Sequence, residues 1–185
     1  QFIDRTFARE KSFFGPGCVA HVSMADPVCP RLGDYAEKAC KELGIAHKRG
    51  GTYIVMEGPQ FSSRAESHLY RSWGCSVIGM TNMPEAKLAR EAELCYATVA
   101  MVTDYDCWRE GDAHVDVEAV LTILHGNADK AQNLISAVAP KLAGHRSVCS
   151  VGCDRALEVA LITPPEAREE AMVNRLDAVA GRVLS

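Results

Sequence analysis

Short apolar segments that alternate with helical patterns constrain the fold of this chain more than any other feature. Each segment is bounded by turn residues and is typical of a strand. The four segments are "CVAHVSM" (18–24), "GTYIVME" (51–57), "CSVIGM" (75–80) and the run 95–103. Helical patterns separate them, as the crossovers of a parallel sheet require. The order predicts the α/β class, with a mainly parallel or mixed central sheet flanked by helices on both faces.

Start and stop signals delimit the predicted helices. Apolar positions at helical spacing run from Arg31 to Leu43, and Gly44 ends that pattern. Ser63 and Glu66 form a capping-box pattern at the start of a second helix. Three more helices are predicted, one capped by Thr81 or Asn82 with Pro84 in its first turn, one from about Val115 to Val138 that stops at Pro140, and one from Glu166 to Val179.

The length of the chain bounds the number of domains. At 185 residues it can bury one substantial core but is short for two. We therefore expect a single α/β domain over residues 1–185, in which residues 144–185 form an appended loop and helix. The chain begins at Gln1 without an initiator methionine, and we expect it to be the C-terminal portion of a longer protein.

Charge and hydropathy argue against two classes of partner. Lys and Arg total 20 against 24 Asp and Glu, and the net charge of −4 does not suit a nucleic-acid surface. No apolar run approaches the ~18 residues that a membrane span needs, and no signal-peptide pattern is present. We expect a cytoplasmic protein that binds neither nucleic acid nor membrane.

The eight cysteines are scattered through segments with regular patterns, and we expect most of them to be small buried side chains. Cys149 and Cys153, in "SVCSVGCD", form the closest pair. Their C-x3-C spacing leaves open a zinc site, a disulfide in the tail or free thiols. Because no second pair accompanies them, free thiols are favoured and no metal site is predicted.

Unusual sequences follow three of the predicted strands, "EGPQFSS", "GMTNMPE" and "TDYDCW". In open α/β sheets, ligands bind beyond the carboxyl ends of the strands, near helix amino termini. These ends offer an aromatic ring, a thioether, hydroxyl groups and two acids, which are Phe61, Met80, Ser62, Ser63, Thr81, Asp104 and Asp106. Such a set suits a flat, weakly polar ligand that carries hydroxyl groups.

These residue types carry specific chemistry, although each also has a structural explanation. An aromatic face stacks a base for ~1–3 kcal/mol, and a carboxylate can accept hydrogen bonds from an amino group or share a proton with a ring nitrogen. Thr81 at a helix start can contact an anion. Alternatively, Phe61 is a hydrophobic staple, Thr81 only a cap, and the two acids turn formers. One of two alternating acids should nevertheless face inward and need a partner.

Three motifs in order resemble those of the trimeric purine nucleoside phosphorylase family: "EGPQFSSRAESHLYRSWG", "VIGMTNMPEAKLAREAELCYA" and "VTDYDCW". The upstream "HVSMADPVCP" fits the same pattern, and the resemblance covers roughly residues 1–140. It is greatest to members that act on 5′-methylthioadenosine. It implies phosphorolysis, in which phosphate attacks the anomeric carbon and releases adenine and 5-methylthioribose 1-phosphate, a glycosyl transfer of purine and methionine salvage.

The resemblance also implies roles for individual residues. Phe61 would face the base, Met80 the ribose and Thr81 the phosphate. Along the purine edge would lie Asp104, Tyr105 and Asp106, with Asp104 assisting the departure of adenine. Ser62 and Val117 match positions that select the substrate in the family. Val120 and Leu121 would form the wall of the methylthio pocket. His21 matches a family residue that reaches into the site of a neighbouring subunit, so the resemblance implies a homotrimer.

The resemblance implies no metal or organic cofactor, with inorganic phosphate as the co-substrate. The family's glycine-rich phosphate loop has no counterpart in these 185 residues, and Thr81 is the sole matched phosphate contact. A single hydroxyl does not hold a dianion. We therefore expect the 185 residues alone to be inactive.

Three alternatives stay open at this point. The enzyme could prefer 6-oxopurine nucleosides or methylthioinosine. The Asp-x-Asp pattern of residues 104–106 also occurs in nucleotide-sugar glycosyltransferases, where it holds a divalent metal. The chain could also be a folded assembly module without turnover.

Overall fold

In a computed structural model of the protein, the structure describes residues 1–109, 117–143 and 148–184, without the side chains of residues 117–120. The described residues contain three strands, β1 (Phe2–Arg5), β2 (Tyr53–Met56) and β3 (Val77–Gly79). The α-helices are α1 (Pro30–Glu42), α2 (Arg64–Ser72), α3 (Asn82–Glu91), α4 (Val117–Leu142) and α5 (Glu170–Leu184). Two short 3₁₀ turns, Cys153–Arg155 and Pro165–Ala167, lie in residues 148–184, which we call the tail.

The three strands form one parallel sheet in the order β1-β2-β3. In the central strand, the neighbouring residues Ile54 and Val55 are both fully buried. Because successive side chains of a strand point to opposite faces, both faces of β2 are covered. The α/β class predicted from the sequence is confirmed.

The predicted helix signals act mostly as expected. The Ser63 hydroxyl accepts from the Glu66 N–H and the Glu66 carboxylate accepts from the Ser63 N–H, which confirms the capping box of α2. The predicted stop at Pro140 is wrong, because α4 continues to Leu142. The proline lies in the last turn, so the backbone bond that it cannot donate is lost at the end of the helix rather than in its interior. None of the described helices has the combined length and apolar character of a membrane span.

Two strand predictions are wrong. Residues 18–24 take part only in two isolated bridges, Cys18 to Gly15 and Ala20 to Leu161, and residues 95–103 form no strand. Two described hydrogen bonds reach the backbone of the second segment. The Cys29 N–H, in a loop, donates to the Tyr96 carbonyl at 2.7 Å, and the Asn127 side chain donates to the Val102 carbonyl at 3.1 Å. Neither partner is the edge of a sheet, so no ladder forms. Conversely, β1 was missed, since "FIDR" has only two apolar residues.

The tail packs on the segment after β1. Phe14 and Cys18 share a buried cluster with Leu157, Met172 and Leu176. The carboxylate of Glu93, after α3, accepts from the Leu157 N–H at 2.9 Å and from Arg182 at 2.7 Å. Apolar burial and these bonds join the tail to the body of the chain.

Candidate active site

A cavity of about 550 Å³ runs along β2, β3 and α2 and reaches the carboxyl ends of the strands. Six of the residues predicted for the site line it together, namely Phe61, Ser62, Met80, Asp104, Tyr105 and Asp106. Phe61 and Ser62 follow β2, Met80 follows β3, and the acidic residues come from the segment before residue 110. The chain thus brings an aromatic ring, a hydroxyl, a thioether and two acids to one place.

Apolar groups form much of the wall behind these residues. Ile54 and Met56 of β2, Ile78 of β3 and Tyr70 of α2 all line the cavity. The Ser62 hydroxyl donates to the Met56 sulfur at 3.4 Å, which orients it along the wall. A mostly apolar wall with a few polar groups at one end suits a flat, weakly polar ligand.

The two acids have different surroundings. The Asp104 carboxylate accepts from the Thr103 hydroxyl at 2.5 Å, and the residue is exposed. The Asp106 carboxylate accepts from the Cys107 N–H at 2.8 Å, and the residue is half-buried. The inward-facing acid expected from the alternation is therefore Asp106, whereas Asp104 lies at the open side of the cavity.

Aromatic contacts brace the acidic segment. The Tyr105 and Trp108 rings meet edge to face with centroids 6.0 Å apart, and the Arg71 guanidinium lies 3.6 Å from the centre of the Trp108 ring. The Cys107 thiol donates to the Ser62 carbonyl at 3.5 Å. These contacts hold the acids against α2 and the loop that carries Phe61.

Arg9 connects the ends of β2 and β3. Its guanidinium donates to the carbonyls of Glu57, Met80 and Met83 at 2.7, 2.5 and 2.7 Å, and to the Glu57 carboxylate at 3.3 Å. The Glu57 carboxylate also accepts from the Phe7 N–H at 2.8 Å, and this bond, aided by Arg9, holds the pKa of that carboxyl below its usual value. Arg9 therefore positions Met80, and no motif marked it in advance.

Close backbone approaches shape the same strand ends. A Cβ atom on Gly79 would lie 1.9 Å from the Tyr53 phenol oxygen. Gly58 has a φ of 71°, and a Cβ atom there would lie 2.7 Å from the Met80 sulfur. The Tyr53 ring that passes Gly79 favours glycine there, and the left-handed backbone of Gly58 favours glycine at that position.

Ser67, on α2, is a further lining residue that the sequence did not indicate. It is 1% exposed, and its hydroxyl has no hydrogen-bond partner among the described residues. An unpaired buried hydroxyl costs ~1–3 kcal/mol. Only its spatial position next to the cavity, which a sequence does not display, distinguishes it from any helical serine.

Other predicted site residues are not brought into this cavity in the described part of the chain. Thr81 is exposed and directly follows the lining Met80, and its hydroxyl donates to the Asn82 side chain at 3.2 Å. His21 is exposed, and its N–H donates to the Ala160 carbonyl. Leu121 is exposed on α4. The side chains of Val117 and Val120 lie outside the described residues.

Comparison with known proteins identifies relatives of this chain. Residues 1–140 match the model of the phosphorylase superfamily. The S-methyl-5′-thioadenosine phosphorylase of Rhodospirillum rubrum is 62% identical over 184 residues, which cover 100% of this chain and 63% of that relative. The chain thus spans less than two thirds of that protein's length.

Solved structures have the same fold. A methylthioadenosine phosphorylase from an Antarctic soil metagenomic library superimposes with a TM-score of 0.88 at 46% identity, over 97% of this chain and 63% of the other. The methylthioadenosine phosphorylase of Schistosoma mansoni, crystallised with adenine, gives 0.76 at 28% identity, over 92% of this chain and 65% of the other.

Proposed function

Because the chain belongs to the phosphorylase superfamily, we propose that the protein catalyses phosphorolysis of S-methyl-5′-thioadenosine. The products are adenine and 5-methylthioribose 1-phosphate, so the reaction is a pentosyl transfer that serves purine and methionine salvage in the cytoplasm. Relatives and neighbours of that activity support the proposal. The observation that carries it is that Phe61, Met80 and Asp104 line the same cavity at the carboxyl ends of β2 and β3.

The chemistry of the departing base explains why a carboxylic acid is needed beside it. Cleavage of the glycosidic bond leaves electrons on the purine, and a proton at N7 relieves this charge. A carboxylic acid in this position supplies general-acid catalysis. Asp104 takes this role in our proposal, and its exposure at the open side of the cavity leaves it accessible to a base stacked on Phe61. The carboxylate also accepts a hydrogen bond from the 6-amino group, which a 6-oxopurine does not have.

In the proposal, each remaining site residue contacts a different part of the substrates. In the proposal, Met80 packs on the ribose, Thr81 donates to phosphate, and Tyr105 and Asp106 complete the purine edge. Ser62 and Val117 select the substrate, and Val120 and Leu121 wall the methylthio group. An apolar wall discriminates a methylthio group from a hydroxyl by only ~1–3 kcal/mol. Adenosine should therefore be a poor substrate rather than an excluded one.

Phosphate dependence tests the proposed reaction. The full-length natural protein should release adenine from methylthioadenosine only when inorganic phosphate is present, and a chelator should not reduce the initial rate. Adenine release can be followed by chromatography together with the sugar phosphate. Release that is independent of phosphate would indicate hydrolysis. Activity lost within the assay on adding chelator would favour the metal-dependent glycosyltransferase alternative.

We also propose that the protein is a homotrimer in which His21 reaches a neighbouring subunit's site. His21 is exposed and does not line the cavity of its own chain, which agrees with that role. Sedimentation of the full-length protein should give three chains per particle, and His21→Ala should raise KM for methylthioadenosine. A fully active monomer would contradict this assembly.

A further inference from the structure

Four cysteines from three separate parts of the chain meet in the core. Cys29 precedes α1, Cys95 follows α3, and Cys149 and Cys153 belong to the tail. Their sulfur atoms all lie within 4.8 Å of one another. Cys29, Cys149 and Cys153 are at most 3% exposed, and all four are free thiols in the structure. The group lies apart from the residues that line the candidate active site.

The spacing of these sulfurs fits a single metal ion. Zinc binds four thiolates tetrahedrally at ~2.3 Å, which places neighbouring sulfurs about 3.8 Å apart. The Cys29 and Cys149 sulfurs are 3.8 Å apart. We propose that Cys29, Cys95, Cys149 and Cys153 together bind one structural zinc ion. Binding displaces the protons of the four thiols to solvent and changes no oxidation state.

The surroundings of the sulfurs support thiolate ligands. Cys149 to Cys153 form a tight turn in which Gly152 has a φ of 72° and its N–H donates to the Cys149 carbonyl at 2.9 Å. Against the effect of burial, the backbone N–H groups of Cys153 and Val151 help to hold the pKa of the Cys149 thiol below its usual value. Backbone donors of this kind orient a metal ligand and stabilise its charge.

Charge compensation and anchoring come from two further side chains. The Arg31 guanidinium donates to the Cys95 sulfur at 3.5 Å, so a cation adjoins the negative charge that four thiolates and one divalent ion would leave. The Asp154 carboxylate accepts from the Cys149 N–H at 3.2 Å and fixes the tail loop. The cluster is thus held by groups outside the four ligands.

Other uses of four cysteines fit the geometry less well. A disulfide needs a sulfur–sulfur distance of ~2.05 Å and joins cysteines only in pairs, whereas here all four sulfurs lie within 4.8 Å of one another and the Cys29 and Cys149 sulfurs are 3.8 Å apart. A single iron ion would accept the same tetrahedron. Zinc is favoured over ferrous iron at such a site because its complexes are more stable.

The proposed ion would add a direct link between three parts of the chain that otherwise meet through apolar packing and hydrogen bonds. It links the start of α1, the segment after α3 and the tail loop through bonds that do not depend on apolar area. Cys95 also begins the segment that leads to Asp104 and forms no sheet ladder in the described structure. The role of the proposed ion is therefore to hold the Cys95 end of the segment that leads to Asp104. The ion takes part in no step of the proposed reaction.

Metal analysis of the full-length protein, purified under reducing conditions after growth with zinc, tests the proposal. We expect about one zinc per chain by mass spectrometry, as for a structural tetrathiolate site. Cys149→Ser combined with Cys153→Ser should lose that zinc. Cys18→Ser is the matched control, because Cys18 is equally buried but lies outside the cluster, and it should keep its zinc.

A second measurement does not require the variants to fold. A thiol-blocking mercurial added to the wild-type protein should release the zinc to a coloured indicator as the cluster thiols react. Cobalt in place of zinc should give the intense visible bands of a tetrahedral thiolate complex. Wild-type protein without bound zinc, iron in its place, a mass deficit of two hydrogens per disulfide among the four cysteines, or undiminished zinc in the double variant would each overturn the proposal.

Discussion

Replacing Asp104 with asparagine in the full-length protein lowers kcat/KM for methylthioadenosine by about 10²- to 10⁴-fold, the range of a lost general acid. The amide has the size of the carboxyl group but cannot deliver a proton to N7. The Asp104 side chain is exposed and its one described partner is the Thr103 hydroxyl, so the substitution leaves no buried group unpaired. Steady-state kinetics on folded protein measures the loss.

The same substitution should also change the preferred base. An amide can donate to the 6-oxo group of methylthioinosine, whereas the carboxylate accepts from the 6-amino group of the adenine nucleoside. The ratio of the two kcat/KM values should therefore move toward methylthioinosine in Asp104→Asn. Asp177→Asn, on α5 and away from the cavity, is the control and should change neither value. Equal losses on both substrates would show that Asp104 does not read the base.

Gly79→Ala should destabilise the protein by about 1–3 kcal/mol, which is typical of an overpacked core. The new methyl group would lie 1.9 Å from the Tyr53 phenol oxygen, and the Tyr53 ring is held by Phe2 at a centroid distance of 6.0 Å. One side chain or the end of β3 must shift. Denaturant unfolding of the full-length protein measures the change in the free energy of unfolding.

Two further variants separate this clash from a general effect of added side-chain volume. Tyr53→Phe removes the oxygen and should recover part of the loss in the double variant, although the ring carbon would still lie 2.8 Å from the new methyl group. Gly126→Ala, in α4 with open space around it, should be neutral or stabilising by up to ~1 kcal/mol. Gly79→Ala as stable as the wild type would contradict the predicted clash.

The sequence indicated the fold class through local signals, and it failed where structure depends on distant partners. The buried run of β2 and the capping box of α2 are local, and both were found. The segment 95–103 has the apolar composition of a strand, but the described chain provides no strand beside it. The segment of β1 has little apolar character and becomes a strand through its pairing with β2.

The residues of the candidate site were also predicted only where a local sequence signal marks them. Phe61 and Met80 follow β2 and β3, and a rule about the ends of parallel strands was enough to suggest them, whereas Asp104 was suggested by an apolar segment that forms no strand. Arg9 acts on carbonyls some 48 to 74 residues away in the chain, and no spacing encodes such contacts. Its position is a property of the folded chain alone.

The cysteine cluster shows this limit most clearly. The C-x3-C pair was visible in the sequence, but Cys29 and Cys95 are single cysteines far from it and from each other. Only the packing of α1, the end of α3 and the tail brings the four sulfurs within 4.8 Å. The prediction that no metal is bound came from a spacing rule that requires two local pairs, and the proposed zinc site does not meet it.

The central claim is that the Asp104 carboxyl group contacts the departing adenine, and a crystal structure of the full-length protein with adenine and phosphate measures this directly. We predict an Asp104 oxygen within ~3.2 Å of N7 or of the 6-amino nitrogen, with the base packed on Phe61. Adenine bound in the same cavity with Asp104 turned to bulk solvent, or adenine bound elsewhere, would contradict the account.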